Sequence, residues 1–121
     1  MLSPLTDEQV IEAVVRDYFE GWIDADAERM RSALHPDLCK RAFEPDGTIN
    51  ETSAEWMIEA TGEGRGHRKR PEERHFEIEI EDMHRAIANV TVRDYVFREY
   101  LQLAKTTEGG WKIVNALWER T

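Results

Sequence analysis

The chain has 121 residues, a length that fits one domain over residues 1–121 and leaves no room for a second. It carries 25 acidic against 16 basic side chains, a formal net charge of −9, so it would repel a phosphate backbone and we expect no nucleic-acid partner. No apolar run reaches the roughly 18 residues of a membrane span, no signal-peptide pattern opens the sequence, and the one cysteine, Cys39, suits a reducing compartment. We therefore expect a cytoplasmic protein without a membrane partner.

Capping and periodicity predict a first helix that begins near Thr6. Thr6 and Gln9 have capping-box spacing, which lets each side chain bond the free backbone amide of the other residue. After a short break, Asp26 is placed to cap a second helix. The first helix has a broad apolar face that suits packing across a sheet, and this face comprises Ile11, Val14, Val15, Tyr18 and Trp22.

The middle of the chain alternates between short elements. Pro36 ends the second predicted helix, because the residue before a proline avoids helical angles. A short strand is predicted over residues 38–43. A third helix is predicted to begin near Thr52, with Glu55 completing another capping box. The glycines in residues 62–66 then end this helix and open a loop.

From His75 onward the sequence pattern changes to that of strands. Apolar side chains alternate with Glu77, Glu79 and Glu81, which predicts a strand with one face in water. Because metal sites need ligands that converge from several elements, we interpret this acidic row as a solvated face and predict no metal.

The remaining strands are separated by turn sequences. Residues 82–85 indicate a turn, and a strand with Val90 and Val92 follows it. A long strand is predicted over residues 95–105, and the glycines of 107–110 suit a hairpin turn. The last strand, 111–118, is apolar on both faces, so we expect it to be central or covered by a partner subunit.

Helices followed by strands predict an α+β fold, and several segments allow a family resemblance. They are Tyr18-Phe19-Glu20-Gly21-Trp22, Leu34-His35-Pro36-Asp37 and Gly110-Trp111-Lys112-Ile113-Val114-Asn115. The chain resembles the nuclear-transport-factor-2-like superfamily, and within it the branch described as putative lumazine-binding and the polyketide-cyclase-like (SnoaL-like) proteins. The resemblance implies a cystatin-like cone, in which three N-terminal helices pack over the concave face of a curved antiparallel sheet, and it implies a homodimer.

The long strand offers a candidate catalytic carboxyl group. Period-two counting places Tyr95, Phe97 and Glu99 on one face. If that face is concave, desolvation would raise the pKa of Glu99 and make it an acid or hydrogen-bond donor. The resemblance to ketosteroid-isomerase-like members implies that Tyr18 and Glu99 form an oxyanion hole, whereas their general base falls near Ala42, which cannot abstract a proton. Alternatively, Tyr18 belongs to the core and Glu99 is exposed on the opposite face.

Two further groups of polar residues have competing interpretations. His35 is a candidate general base, because its ordinary pKa of about 6.5 suits that role, but a histidine where a helix ends can also bond the last free carbonyls. The basic residues of 65–70 either hold an anion or form a solvated loop. His67, His75 and His84 lack the spacing of zinc ligands.

Aromatic residues complete the predicted site. We expect Trp22, Trp56 and Trp118, with Tyr95 and Phe97, to line a pocket and stack on a planar ligand, although the tryptophans would equally fill a core. The sequence therefore predicts a protein that binds a small planar or apolar molecule without a cofactor, with a lyase or isomerase as its enzymatic form. The competing hypothesis is a non-enzymatic dimerisation or accessory module whose pocket is vestigial.

Overall fold

The computed structural model describes residues 4–107 and 110–121. Within these ranges the chain forms three α-helices and six strands, which confirms the α+β class. The helices are α1 (Asp7–Asp24), α2 (Ala27–Ala33) and α3 (Ala54–Gly62), and a short 3-10 helix spans Pro71–Glu73. The strands are β1 (Leu34–Phe43), β2 (Ile49–Thr52), β3 (Phe76–His84), β4 (Ile87–Asp94), β5 (Phe97–Lys105) and β6 (Trp111–Arg120).

All six strands belong to one sheet in the order β2-β1-β6-β5-β4-β3. The pairs are antiparallel as predicted, except that β1 and β6 run parallel, so the sheet is mixed. The exception arises because both strands start near the same end of the sheet, where Leu34 pairs with Ile113. Strand β6 has neighbours on both sides, as its doubly apolar pattern predicts.

Helix α1 packs its apolar face on the inner face of the sheet. The predicted capping box is present, with Thr6 and Gln9 exchanging bonds between side chain and backbone. Burying each large apolar side chain contributes about 1.5–3 kcal/mol, so this contact is a major source of stability. The fully buried side chains of this core include Ile11, Val15, Val90, Val92, Leu101, Leu103 and Ile113.

No helix in the described part of the chain has the length and apolar character needed to cross a membrane. The cytoplasmic location stays a prediction.

Several predicted element ends are wrong by a few residues. Helix α3 is capped by Ser53, whose hydroxyl accepts from the Trp56 amide at 3.1 Å, whereas Thr52 is the last residue of β2. Strand β3 continues to His84, and the turn after it is tight because Arg85 adopts a left-handed φ of 50°. In the predicted hairpin turn at 107–110, residues 108 and 109 lie outside the described residues.

The long strand begins at Phe97, so the prediction that it starts at Tyr95 is wrong. The cause is the carboxylate of Asp94, which accepts the backbone amides of Val96 at 3.0 Å and Phe97 at 3.3 Å. This side chain closes a turn between β4 and β5. Tyr95 therefore lies in a turn and is 69% exposed instead of sharing the face of Phe97.

The segment after α3 is fixed to the sheet by a buried ion pair. Both terminal nitrogens of Arg68 bond the two carboxylate oxygens of Asp94 at 2.7 Å. Arg68 also donates to the carbonyl of Glu73 at 2.7 Å. Nearby, Gly66 lies so close to Trp22 that an added Cβ would be 2.1 Å from the indole nitrogen. The segment therefore lies close over α1, in a position that only glycine permits without a shift.

We expect Asp94→Asn to lower the free energy of unfolding by about 3–5 kcal/mol, because it leaves the buried Arg68 charge unneutralised. The new side-chain amide would also point its N–H groups at the guanidinium or at the backbone amides of the turn, and all of these groups are hydrogen-bond donors. Urea denaturation followed by circular dichroism measures the loss. The matched control is Asp37→Asn at an exposed aspartate, where we expect a change within about 0.5 kcal/mol. Equal effects of the two substitutions would contradict the assigned role of the ion pair.

Candidate functional site

A cavity of about 470 Å³ lies between the helices and the inner face of β1, β5 and β6. This volume falls within the range of small-molecule sites in proteins. Phe97 and Trp118 form an edge-to-face pair on its sheet side, with ring centroids 4.9 Å apart. The other apolar walls are supplied by Phe19, Trp22, Ala42, Trp56, Met57 and Val96.

Three buried polar side chains meet in this cavity, and we call Tyr18, Lys40 and Glu99 the polar cluster. Each comes from a different element, α1, β1 and β5 respectively. The Tyr18 hydroxyl donates to Glu99 Oε1 at 2.8 Å, and the Lys40 ammonium donates to the Tyr18 oxygen. Lys40 Nζ lies 3.8 Å from Glu99 Oε1, and Glu99 is only 3% exposed. The three groups therefore satisfy one another out of contact with bulk water.

Desolvation dominates the electrostatics of the polar cluster. Burial raises the pKa of Glu99 above its ordinary value, although the nearby Lys40 ammonium and the Tyr18 hydrogen bond oppose the shift. Burial lowers the pKa of Lys40, and the charge of Glu99 opposes this shift. The pKa of Tyr18 is well above its ordinary value because of burial and the adjacent Glu99 carboxylate. Burial therefore shifts each member of the polar cluster toward its neutral form.

The cavity also has cationic lining residues. Arg65, Gly66, His67 and Arg68 come from the segment after α3, so four of the six residues 65–70 line the cavity. Arg120 lies over the Phe97 ring, with 5.6 Å between the guanidinium carbon and the ring centroid, a cation–π arrangement. Arg68 is neutralised by Asp94, Arg65 lies 3.4 Å from the carboxylate of Glu63, and Glu44 adds an acidic group to the lining.

Six of the eight predicted site residues line the cavity, namely Tyr18, Trp22, Trp56, Phe97, Glu99 and Trp118. The structure answers the open question about Glu99, whose side chain faces the cavity. His35 and Tyr95 do not line it. The ring nitrogen Nδ1 of His35 accepts the Asp37 amide at 3.0 Å near the start of β1. Tyr95 is displaced by the Asp94 turn. Among residues 4–107 and 110–121, no three potential metal ligands converge.

Sequence reasoning did not find Lys40. The signal was present, because Lys40 and Ala42 are two residues apart in the strand predicted over 38–43 and so share a face. The resemblance had placed a cavity position near Ala42, which does line the cavity. Because lysine is rarely buried, Lys40 was not predicted to line the cavity.

The family of the chain is shown by its sequence. Residues 6–119 match the family described as "Putative lumazine-binding", and the chain belongs to this family. It is therefore a member of the nuclear-transport-factor-2-like superfamily, as its fold also indicates. No curated protein matches the sequence.

Solved structures with the same fold are similar over nearly the whole chain. An NTF2-like protein of unknown function from Silicibacter pomeroyi DSS-3 has 17% identity and a TM-score of 0.78, covering 97% of this chain and 100% of that one. A ketosteroid isomerase-like protein from Erwinia carotovora atroseptica SCRI1043 has 15% identity and a TM-score of 0.65, with coverages of 96% and 98%. A cystatin-like domain of unknown function from Nostoc punctiforme PCC 73102 has 15% identity and a TM-score of 0.67, with coverages of 98% and 80%. At these identities the likeness shows the fold alone.

We expect Glu99→Gln to change how stability depends on pH. A carboxyl group whose pKa is raised on folding stabilises the fold fully below its unfolded pKa, and this contribution is lost as the pH rises through the folded pKa. The free energy of unfolding of the wild type minus that of the variant should therefore fall as the pH is raised above about 4.5, the ordinary value for this group. Urea denaturation between about pH 4 and 8 measures this difference.

The control is Glu119→Gln, which removes an exposed negative charge from the neighbouring strand and corrects for the general effect of net charge. A corrected difference that rises with pH, or stays constant, would contradict a desolvated carboxyl at position 99.

Proposed function

We propose that this chain binds a small, planar, largely apolar molecule in the cavity, with a polar group of the ligand at the polar cluster. The observation that carries the proposal is the combination of aromatic walls with one buried set of hydrogen-bonding groups, Tyr18, Lys40 and Glu99. Ligand sites usually have this composition, in which apolar area supplies affinity and a few polar groups fix orientation. The same residues packed into a core without a cavity could not bind a ligand.

The walls suggest how the ligand lies. A ring that enters between Trp22 and the Phe97–Trp118 pair would exchange water for aromatic surface. An oxygen on that ring could then accept a hydrogen bond from Lys40 or from Tyr18. Arg120, which lies over the Phe97 ring, would favour a negative charge on the part of the ligand next to it.

The enzymatic form of this proposal is a lyase or isomerase that needs no cofactor. Glu99 in its protonated form would donate a hydrogen bond to an oxygen that gains charge, and Lys40 in its neutral form would accept a proton. The directions of both pKa shifts support these roles, and the name of the Erwinia relative agrees with the reaction class. His35, which lies outside the cavity lining, has no role in this form.

Tryptophan fluorescence tests the binding proposal directly. We expect lumazine, flavins or polyketide-like aromatic compounds to quench the fluorescence saturably, because three tryptophans line the cavity. Trp22→Phe should weaken the quenching, whereas Trp111→Phe should preserve it, since Trp111 is buried elsewhere in the core. Ala42→Phe should abolish the quenching by filling the cavity. Quenching that is unchanged in Ala42→Phe, or absent with every compound, would contradict the proposal.

A second candidate function is favoured by the opposite face of the sheet. Tyr100 and Leu117 are directly paired across β5 and β6, and they are 52% and 49% exposed. Both lie in a shallow depression on the face that the helices leave uncovered, together with Arg41 and Glu81. An exposed apolar pair ringed by both signs of charge suits a two-fold contact with a second copy. We therefore propose a homodimer, which under the accessory-module hypothesis is itself the function.

Sedimentation velocity at micromolar concentration tests the dimer. We expect a species of twice the 14.1 kDa monomer mass. Tyr100→Glu or Leu117→Glu should shift it to the monomer, because two like charges would face each other across the symmetric contact. Leu5→Glu is the control, since Leu5 is also exposed but lies outside the sheet. A wild-type monomer, or a dimer that survives both sheet substitutions, would exclude this surface as the interface.

A further inference from the structure

Lys40 differs from the other three lysines of the chain. Lys69 is exposed, Lys105 bonds Asp7 at 3.1 Å near the surface, and Lys112 bonds the carbonyl of Ser32. Lys40 alone is buried with its amine in the cavity. Burying an amine is costly unless its charge is neutralised or its proton is lost.

The partners of the amine do not hold it as a close ion pair. The distance of 3.8 Å to Glu99 Oε1 is longer than a hydrogen bond, and the direct bond of the amine is to the phenol of Tyr18. Aromatic faces complete its surroundings, with Nζ 4.9 Å from the ring centroid of Tyr18 and 5.6 Å from that of Trp118. The amine thus has a carboxyl group, a phenol and apolar walls within reach.

These are the requirements for condensing an amine with a carbonyl compound. The amine must give up a proton to become nucleophilic, a nearby acid must protonate the departing oxygen, and water must be kept from the product. Burial favours the unprotonated amine of Lys40, because it lowers the pKa of that group. It also raises the pKa of Glu99 and so keeps a proton available.

We propose that Lys40 forms an imine with the aldehyde or ketone group of a planar ligand in the cavity, with Tyr18 and Glu99 handling the protons. The inference rests on the proposed binding function and adds to it the chemical class of the ligand, a carbonyl compound. It assigns Lys40 a covalent role and the other two members of the polar cluster an acid–base role.

The reaction balances with groups that the cavity holds. The Lys40 lone pair attacks the carbonyl carbon and forms a C–N bond while the π electrons move to oxygen, which takes a proton from the Tyr18–Glu99 pair. The nitrogen of the resulting carbinolamine loses a proton to the same pair. A proton from the pair then returns to the hydroxyl group, which leaves as water as the nitrogen lone pair forms the C=N bond. The resulting iminium nitrogen gives its remaining proton back to the pair, which restores the protonation of the pair. The net change is amine plus carbonyl to imine plus one water, with no oxidant or reductant.

Reductive trapping tests this proposal with a matched pair of probes. 2-Naphthaldehyde and sodium cyanoborohydride are added to the purified protein at pH 7, and peptide mapping by mass spectrometry locates naphthylmethyl groups. 2-Naphthalenemethanol has the same ring system but cannot form an imine, so its quenching of tryptophan fluorescence reports binding alone. We expect Lys40 to be modified at least about tenfold faster than Lys69, Lys105 or Lys112, which do not line the cavity that binds the naphthalene ring. Mapping also separates any product on the α-amino group.

Two variants sharpen the test. Lys40→Arg keeps the positive charge but cannot form the imine, so the adduct at this position should vanish, and titration with the alcohol measures how much binding this variant keeps. Tyr18→Phe should slow trapping by about tenfold or more when the rates are compared at equal occupancy, which the alcohol titration determines, because one proton donor is lost. The wild-type map needs no variant, so a folding defect in either substitution does not remove the test.

The outcomes separate the two proposals. Preferential modification of Lys40, together with quenching by the alcohol, supports both. Quenching by the alcohol with even modification of the four lysines, or none, would overturn the imine and leave the binding function standing. Neither quenching nor modification of Lys40 would overturn the imine and count against the binding function as well.

Discussion

The structure depends most on the mutual neutralisation of three polar groups that have left water together. Tyr18, Lys40 and Glu99 come from α1, β1 and β5, so their hydrogen bonds form only when the helix and the two strands reach one particular arrangement. Any displacement would leave a buried donor or charge without a partner, at a cost of about 1–3 kcal/mol or more. The polar cluster therefore restricts the position of α1 over the sheet more narrowly than apolar packing alone would do. The same hydrogen bonds hold the three titratable side chains in the cavity.

Small residues and one ion pair fix the position of the segments around the cavity, and these contacts keep the cavity from collapsing. Gly66 lets the segment after α3 lie against Trp22, and the Arg68–Asp94 pair fixes the same segment to the turn between β4 and β5. Gly21 has a similar role between α1 and α2, where an added Cβ would be 3.1 Å from the Met30 amide nitrogen. The Arg68–Asp94 ion pair and the contact of 3.1 Å between His67 Nδ1 and the Ile23 carbonyl thus hold one wall of the cavity in place.

The parts of the fold that depend on local physics were predictable from the sequence. The Thr6–Gln9 capping box and the alternation along β3 are short-range patterns, and both are present. The predicted ends of helices and strands are wrong where a competing side-chain hydrogen bond determines where the element begins. Ser53 caps α3 in place of Thr52, and the Asp94 carboxylate turns the chain at Tyr95. Such competition between neighbouring side chains is settled by the tertiary position of the backbone, which a sequence pattern does not contain.

The candidate site followed the same division. Strand parity brought Phe97 and Glu99 to the same predicted face, and both line the cavity. The prediction for Tyr95 is wrong because the alternation of side chains along a strand does not continue through a turn. The prediction that His35 is a general base rests on the usual pKa of a histidine side chain, which gives no information about where the ring lies. Lys40 was missed for the opposite reason, because its burial depends on partners from α1 and β5 that are distant in the sequence.

Lys40 adds a basic group to the cavity of a fold that supports many activities. A cavity with Tyr18 and Glu99 alone would present a phenol and an acid, and it would suit a ligand through hydrogen bonding only. The amine bonds the Tyr18 oxygen and lies 3.8 Å from Glu99 Oε1, so it adds a basic group beside both. In the proposed imine chemistry, the location of one proton would decide whether the cluster only binds the ligand or also reacts with it. With the proton on Lys40 the cluster is an ion pair that recognises an oxygen, and with the proton on Glu99 it is a neutral amine beside an acid. Burial penalises the first state, and an apolar ligand that displaces the remaining water would penalise it further. In the proposed reaction, ligand binding and activation of the amine would therefore be coupled, because both depend on the desolvation of the polar cluster.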